Sequence, residues 1–320
     1  MLLNISVLLI CIILAFLYIK IAEKFNIVDK PNHRSSHSIP TIRGGGVLFY
    51  FAILIYFIYS KFQYPFFFIG TTIIALVSYI DDLISLSSKL RLVFQVIAIF
   101  LVLYQITIIG DLSGLLLFLF FIIGIGFINI YNFMDGINGI TGFYSLSVLL
   151  GFFALNFQNQ IIDNQLLVFL VIAIIVFGYF NFRKKARFFA GDIGSISIAM
   201  ILFFLVVLFY MKLQAPVLVL LFLVYGTDAV LTLIYRKIIG ENITEAHRHH
   251  VYQKLTDVKQ WSHLKISLYY GLIQVLINVL VYYSYQLEIY LQWIIVAIVI
   301  LISLLSYMLI FKLFNKISND

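Results

Sequence analysis

The chain has 320 residues, 63% apolar and 11% charged, with a mean hydropathy of +1.08 and a net charge of +7. No water-soluble fold can bury that much apolar surface, which leaves an integral membrane protein with short connections. The single cysteine, Cys11, excludes an internal disulfide framework and a cysteine-based zinc site. With so little polar surface, the positive charge speaks for membrane orientation and anionic substrates, and no nucleic acid is expected as a partner.

The first apolar run, residues 2–19, has no basic residue before it and no small-residue cleavage site after it, and Lys20 and Lys24 follow. That pattern predicts a retained helix. Further runs cover about 47–59, 66–80, 92–109, 112–128, 139–155, 165–180, 193–211, 215–235, 266–285 and 289–311, giving eleven helices. Placing the N-terminus outside assigns 19 of the 21 Lys and Arg residues to the inner side and leaves only Lys61 and Lys212 outside. So uneven a split is what the positive-inside rule demands, and reading 47–80 as one helix would scatter the basic loops over both faces. The expected fold is therefore all-α and polytopic, with eleven membrane helices in one domain spanning 1–320, the N-terminus outside and the C-terminus cytoplasmic.

All six histidines and eleven of the fourteen acids, counting Asp228 near a helix end, fall on or near that inner side, most of them in five segments near 23–46, 81–91, 129–138, 183–192 and 236–265. The main alternative is a polytopic lipid or solute transporter, but a carrier of polar solutes would place its polar groups at the midplane, often in broken helices of repeated halves. The first segment, DKPNHRSSHSIPTIRGGG, offers Arg34, His37 and Arg43 as anion donors, or serves simply as a basic retention loop. In the second, Asp81 and Asp82 end one helix, and Lys89, Arg91 and Gln95 begin the next. Paired carboxylates at a membrane boundary are costly unless hydrated, ion-bound or salt-bridged, and adjacency raises their proton affinity, so one can serve as a base.

The third segment, NIYNFMDGINGITG, gathers Asn129, Asn132, Asp135 and Asn138 without one basic residue. Amide and carboxylate oxygens are hard ligands suited to magnesium beside substrate phosphates. The fourth, FRKKARFFAGDIGS, sets four cations before Gly191, Asp192, Gly194 and Ser195. A helix N-terminus there offers amides to phosphate, and Asp192 is either a metal ligand or an N-cap. The fifth contains His247, Arg248, His249 and His250, whose spacing is wrong for zinc and whose donors suit phosphate oxygens or a solvated basic face. Asp228, nearby in a helix, is expected to pair with Arg236.

DDLISLSSKLRLVFQ, NIYNFMDGING, FAGDIGS and HRHHVYQ, in that order on successive inner segments, resemble the polyprenyl-phosphate N-acetylhexosamine-1-phosphate transferases. That group includes the O-antigen and teichoic-acid initiators of bacteria and, more distantly, the phospho-MurNAc-pentapeptide translocase. The resemblance implies transfer of a sugar-1-phosphate from a UDP-linked N-acetylated sugar to undecaprenyl phosphate, with release of UMP, by an enzyme of the bacterial cytoplasmic membrane. It implies Mg2+, with Mn2+ as the alternative ion, held by Asn132 and Asp192. Asp81 and Asp82 match the acids that act on the lipid phosphate, Asn138 a position that recognises uridine, and His247 to His250 the loop over the sugar diphosphate. Direct attack and a two-step route through an aspartyl-phosphate both remain open. Arg248 interrupts the histidines, as in the branch that uses modified sugars such as N-acetylfucosamine, which leaves the sugar open. Membrane lipids are the expected surroundings, and a homodimer is compatible with the pattern.

Overall fold

The computed structural model describes residues 1–31, 39–242 and 248–317. Arg34, His37 and His247 lie outside the described residues. Apolar runs of this length have no alternative to helix in hydrocarbon, where every backbone group must be satisfied within the segment. The helices are α1 (Leu2–Phe25), α2 (Val47–Tyr59), α3 (Pro65–Ile84), α4 (Ser88–Ile109), α5 (Gly114–Met134), α6 (Ile140–Asn159), α7 (Asn164–Asn181), α8 (Gly191–Leu213), α9 (Leu223–Ile238), α10 (Val251–Asp257), α11 (His263–Ser284) and α12 (Ile289–Ile317). Among the described residues ten spans are long and apolar enough to cross a membrane, and the 13-residue α2 is a shorter apolar helix, so the eleven predicted runs are all helical. The stretch 47–80 divides as expected, because Lys61, Phe62 and Tyr64 take left-handed backbone conformations between α2 and α3.

Two helices run beyond their apolar stretches in a way that matters. Helix α4 starts at Ser88, with the Ser87 hydroxyl accepting from the Leu90 amide, and α5 runs on to Met134. Lys89, Arg91, Asn129 and Asn132 therefore project from helices, which fixes their directions more tightly than loops would.

Helix α8 is the axis of the bundle. Its membrane window is 89% buried, against 17% for the peripheral α5 and α12, which agrees with a sequence apolar on every side. Aromatic stacking ties neighbours to one another, with Phe67 on Phe204 at 4.0 Å and Tyr144 on Tyr225 at 3.6 Å between ring centres. An apolar groove of about 770 Å³ lies between α9, α11 and α12.

The run 215–235 is not one α-helix. Pro216–Phe222 forms a 3-10 turn before α9, and the backbone groups freed at the junction go to a buried side chain of α11. Gln274 donates to the Leu220 carbonyl at 3.0 Å, and its amide oxygen accepts from Tyr144 at 2.9 Å and from the Val224 amide at 3.4 Å. Replacing it by leucine strands these groups in an apolar interior. Gln274→Leu is therefore expected to destabilise the protein by about 2 kcal/mol, read as a lower thermal midpoint in detergent. An unchanged midpoint would contradict this role.

Candidate active site

The second half of the first inner segment forms the floor of the site. Val28–Asp29 and Thr41–Ile42 make a two-residue antiparallel ladder, after which the chain runs alongside 188–190. The Phe189 amide donates to the Ile42 carbonyl at 2.8 Å, and the Gly45 and Gly46 amides donate to the Phe189 and Ala190 carbonyls at 2.8 and 3.0 Å. Gly46 then meets Gly194 backbone to backbone, where an added Cβ would lie 2.3 Å from the Gly194 Cα. The glycines Gly44 to Gly46 and those around Asp192 thus serve a close approach of two chain segments.

That approach delivers Arg43 to the start of α8. The preceding residue, Ala190, supplies no side-chain cap. Asp82, from the last turn of α3, caps the helix instead, accepting from the Asp192 and Ile193 amides at 2.9 and 3.1 Å and from Arg43 Nε at 2.5 Å. Gly191, at φ +71°, leaves room for this carboxylate, since a Cβ there would sit 2.5 Å from it. Of the two readings weighed for Asp192, metal ligand or N-cap, the cap is not formed, and one expectation is corrected: two of the amides expected to face phosphate are taken by Asp82. Relieved of capping, Asp192 accepts from Arg43 Nη2 at 2.9 Å and has its second oxygen 3.8 Å from Arg91.

The paired acids part company because neighbours on a helix point about 100° apart. Asp81 turns to Arg91 Nη1 at 3.0 Å and accepts from the Leu86 amide, while Asp82 turns to Arg43 and α8. The salt bridge weighed for Lys89 or Arg91 forms with Arg91, and Lys89 is exposed with no ion-pair partner among the described residues.

The amide-rich segment divides in the same way. Asn132 accepts from the Ser195 hydroxyl at 3.0 Å, one turn along α8 from Asp192. Asn129 instead exchanges hydrogen bonds with Gln95 of α4, at 2.9 and 3.3 Å, so its amide joins two helices. Asp135 accepts from Thr141 at 2.5 Å. Burial is the largest influence on its carboxyl and pushes it up to about 6, with the Thr141 bond pulling down and the charge of Asp192 pushing up. Asn138 donates to the Arg183 and Lys184 carbonyls at 2.9 and 3.4 Å, tying the third segment to the fourth.

In the fifth segment, Arg248 grips Asp257 with two hydrogen bonds of 3.0 and 2.7 Å, and His249 lies 2.8 Å from Glu241. His250 is buried, with Nδ1 3.1 Å from Asp228. The expected Asp228–Arg236 pair is not formed; Arg236 Nε instead donates to Glu241 at 3.0 Å. His250 is thus part of how this segment docks.

Sequence reasoning missed Asn181, which accepts from the Gly139 amide at 2.7 Å and donates to the Phe188 carbonyl at 2.9 Å, joining the third and fourth segments. Its only signal was an amide closing an otherwise apolar run. Thr141 and Tyr252 were missed as well.

Among the described residues no three acids or histidines form a ready metal cage. The donor set nevertheless suits a hard cation. The carboxylates of Asp81, Asp82, Asp135 and Asp192 share the region with the guanidiniums of Arg43 and Arg91, a deficit of two positive charges. Such a deficit at a membrane boundary is relieved by a divalent ion that takes few protein ligands.

A buried helix axis whose N-terminus gathers acids, amides and arginines from separate segments defines a polytopic membrane protein with a built anionic site. Residues 64–210 match the family described as Glycosyl transferase family 4. The phospho-N-acetylmuramoyl-pentapeptide-transferase of Dictyoglomus thermophilum is 30% identical over 172 residues, 48% of this chain and 55% of that protein. The undecaprenyl-phosphate alpha-N-acetylglucosaminyl 1-phosphate transferase of Thermotoga maritima is 26% identical over 257 residues, 78% of this chain and 80% of that protein. The chain thus spans about half the length of the first relative and four-fifths of the second.

The raised Asp135 gives a stability test. The folded chain holds this proton to about pH 6, whereas the ordinary carboxyl loses it near 3.8, so stability due to this group falls as pH rises through that window and stays lower above it. Asp135→Asn keeps the shape without the charge. Without divalent ions it should melt about 2–5 °C above the wild type near pH 8, with the gap closing towards about pH 5. An equal gap at both pH values would contradict the assignment.

Proposed function

We propose that the protein transfers an N-acetylated sugar-1-phosphate from a UDP-sugar to undecaprenyl phosphate, releasing UMP, as the priming step of a bacterial cell-surface glycan. The observation that carries the reading is the meeting of Asp82, Asp192, Asn132 and Arg43 at one helix N-terminus, in a chain whose residues 64–210 match this family. Both relatives named above are transferases of this kind by name, and the second is named for undecaprenyl phosphate. The 19 to 2 division of basic residues supports an outside N-terminus, a cytoplasmic C-terminus and a cytoplasmic site in the inner membrane.

Two phosphorylated reactants brought together at low dielectric repel each other, so catalysis consists mainly of positioning and charge neutralisation. Asp192 and Asn132 would hold Mg2+, which supplies neutralisation of the diphosphate and of the departing UMP. Arg43 and Arg91 keep their direction because Asp82 and Asp81 hold them, and they add fixed positive charge beside Asp192. Burial works against the Arg43 charge, but Asp82 and Asp192 outweigh it and hold the guanidinium protonated.

A lipid phosphate oxygen attacks the sugar-bearing phosphorus and forms the new anhydride bond, while the bond to UMP breaks and UMP leaves with its electron pair. A phosphate monoester with a second pKa of about 6 is already largely dianionic near neutrality, so the attack needs no strong base. Asp82 has its oxygens committed to two amides and a guanidinium, which favours direct attack over an aspartyl-phosphate. The lipid tail remains in the hydrocarbon, for which the apolar groove between α9, α11 and α12 has the right chemistry.

The test is incubation of the purified protein with undecaprenyl phosphate, Mg2+ and a panel of UDP-sugars, followed by mass measurement of the lipid product. Sugar-linked undecaprenyl diphosphate and UMP are expected with an N-acetylated donor, and Asp192→Asn and Asn132→Ala should each lose about 100-fold or more in turnover. Wild-type turnover in both variants, or no lipid product with any donor, would overturn the reading.

A further inference from the structure

Asp228 is a carboxylate that the proposed chemistry does not use. It lies in α9, is 2% exposed, and gathers donors from three other elements. His250 Nδ1 lies 3.1 Å from it, the Val251 amide donates at 3.1 Å from the start of α10, Tyr270 of α11 donates at 2.6 Å, and Tyr307 of α12 donates at 2.9 Å. A buried charge is tolerated only when it is saturated in this way, and removing a donor or the charge is costly. The arrangement pins the first turn of α10 to the bundle, and the Gln253 side chain closes that turn on the His250 amide at 3.1 Å.

The other side of α10 presses on the amide-rich segment. The Tyr252 hydroxyl donates to the Phe133 carbonyl at 3.1 Å, and its ring stacks at 16° on His250 with centres 5.4 Å apart. Gly136 lies beneath Tyr252, where an added Cβ would be 2.2 Å from the hydroxyl oxygen and 2.9 Å from Cζ. Phe133 and Gly136 lie between and beside Asn132 and Asp135 in the chain. One path of direct contacts therefore runs from the Asp228 carboxylate, through α10, to the backbone that carries a proposed metal ligand and the raised carboxyl of the site.

We propose that Asp228 and Tyr252 are positioning residues, and that α10 is a strut holding residues 132–136 in their working conformation through the Tyr252–Phe133 hydrogen bond and the fit of Tyr252 over Gly136. The proposal rests on the transferase reading for its consequence in turnover and on packing alone for its effect on the loop. Neither side chain hydrogen-bonds Asp81, Asp82, Asn132 or Asp192. Loosening either should therefore lower the rate of the chemical step while leaving binding of the UDP-sugar largely unchanged.

The test uses Tyr252→Phe and Asp228→Asn, and Gly136→Ala both alone and combined with Tyr252→Leu. Tyr252→Phe and Asp228→Asn are each expected to lower kcat about tenfold, the equivalent of one lost hydrogen bond, with KM for the donor within about twofold. Gly136→Ala should lose more, and Tyr252→Leu should restore part of that loss by making room for the methyl group. A second readout is independent of the reaction. Cys11 is fully buried, so Asp135→Cys supplies the thiol whose labelling reports opening of the loop, and its maleimide labelling should speed about tenfold when Tyr252→Phe or Asp228→Asn is added. Unchanged labelling and unchanged kcat in these variants overturn the strut, as does a Gly136→Ala loss that Tyr252→Leu deepens. If labelling rises as expected but the unaltered protein forms no lipid product, the transferase reading fails and the strut stands.

Discussion

The carboxylate of Asp82 sets where everything else in the site lies. A helix as apolar as α8 can sit at the centre of a membrane bundle, but its first amides must find acceptors, and its own N-terminal residue supplies none. Asp82 supplies them from another helix, and the same carboxylate holds Arg43, so one buried group joins α3, α8 and the segment before α2. Opposite charge at the positive end of a helix is favourable, and burial strengthens the attraction while raising the cost of leaving any member unpaired. Because Asp82 does the capping, Asp192 keeps coordination capacity for something else.

The surroundings follow from that choice. Glycines at 44–46, 191 and 194 let two chain segments touch, which brings Arg43 within reach of two carboxylates at once. Asn132 reaches α8 through Ser195, and Asn138 and Asn181 tie the amide-rich segment to the basic one. The result is a rigid frame around a negative excess, which suits chemistry in which charge is neutralised and geometry held and little bond-making is asked of the protein itself.

Much of the architecture is readable from the chain because hydrocarbon leaves the backbone few options. Apolar runs name the helices, and the Lys and Arg bias groups the loops before any packing is known. The acid and amide clusters stand out for a related reason: polar groups are too costly at such positions to be idle. Pairings between distant residues are not encoded locally. Arg43 and Asp192 are 149 positions apart, and nothing near either one names the other. Which of Asp81 and Asp82 faces α8 depends on the rotation of α3 about its axis, and Asn129 reads like Asn132 until Gln95 is seen opposite it. The 3-10 turn before α9 was hidden because a broken helix and a whole one have the same apolar composition, and only the buried Gln274 shows how the break is tolerated.

The central claim is that Arg43 and Asp82 form one unit that organises the start of α8. A double-mutant cycle with Arg43→Gln, Asp82→Asn and the two together, read as denaturant stability of the purified protein, measures that unit directly. A coupling of about 1.5 kcal/mol or more is predicted, because Asp82 without Arg43 is a buried carboxylate that has lost its counter-ion. Effects that add to within about 0.3 kcal/mol would show the two side chains to be independent and would contradict the account.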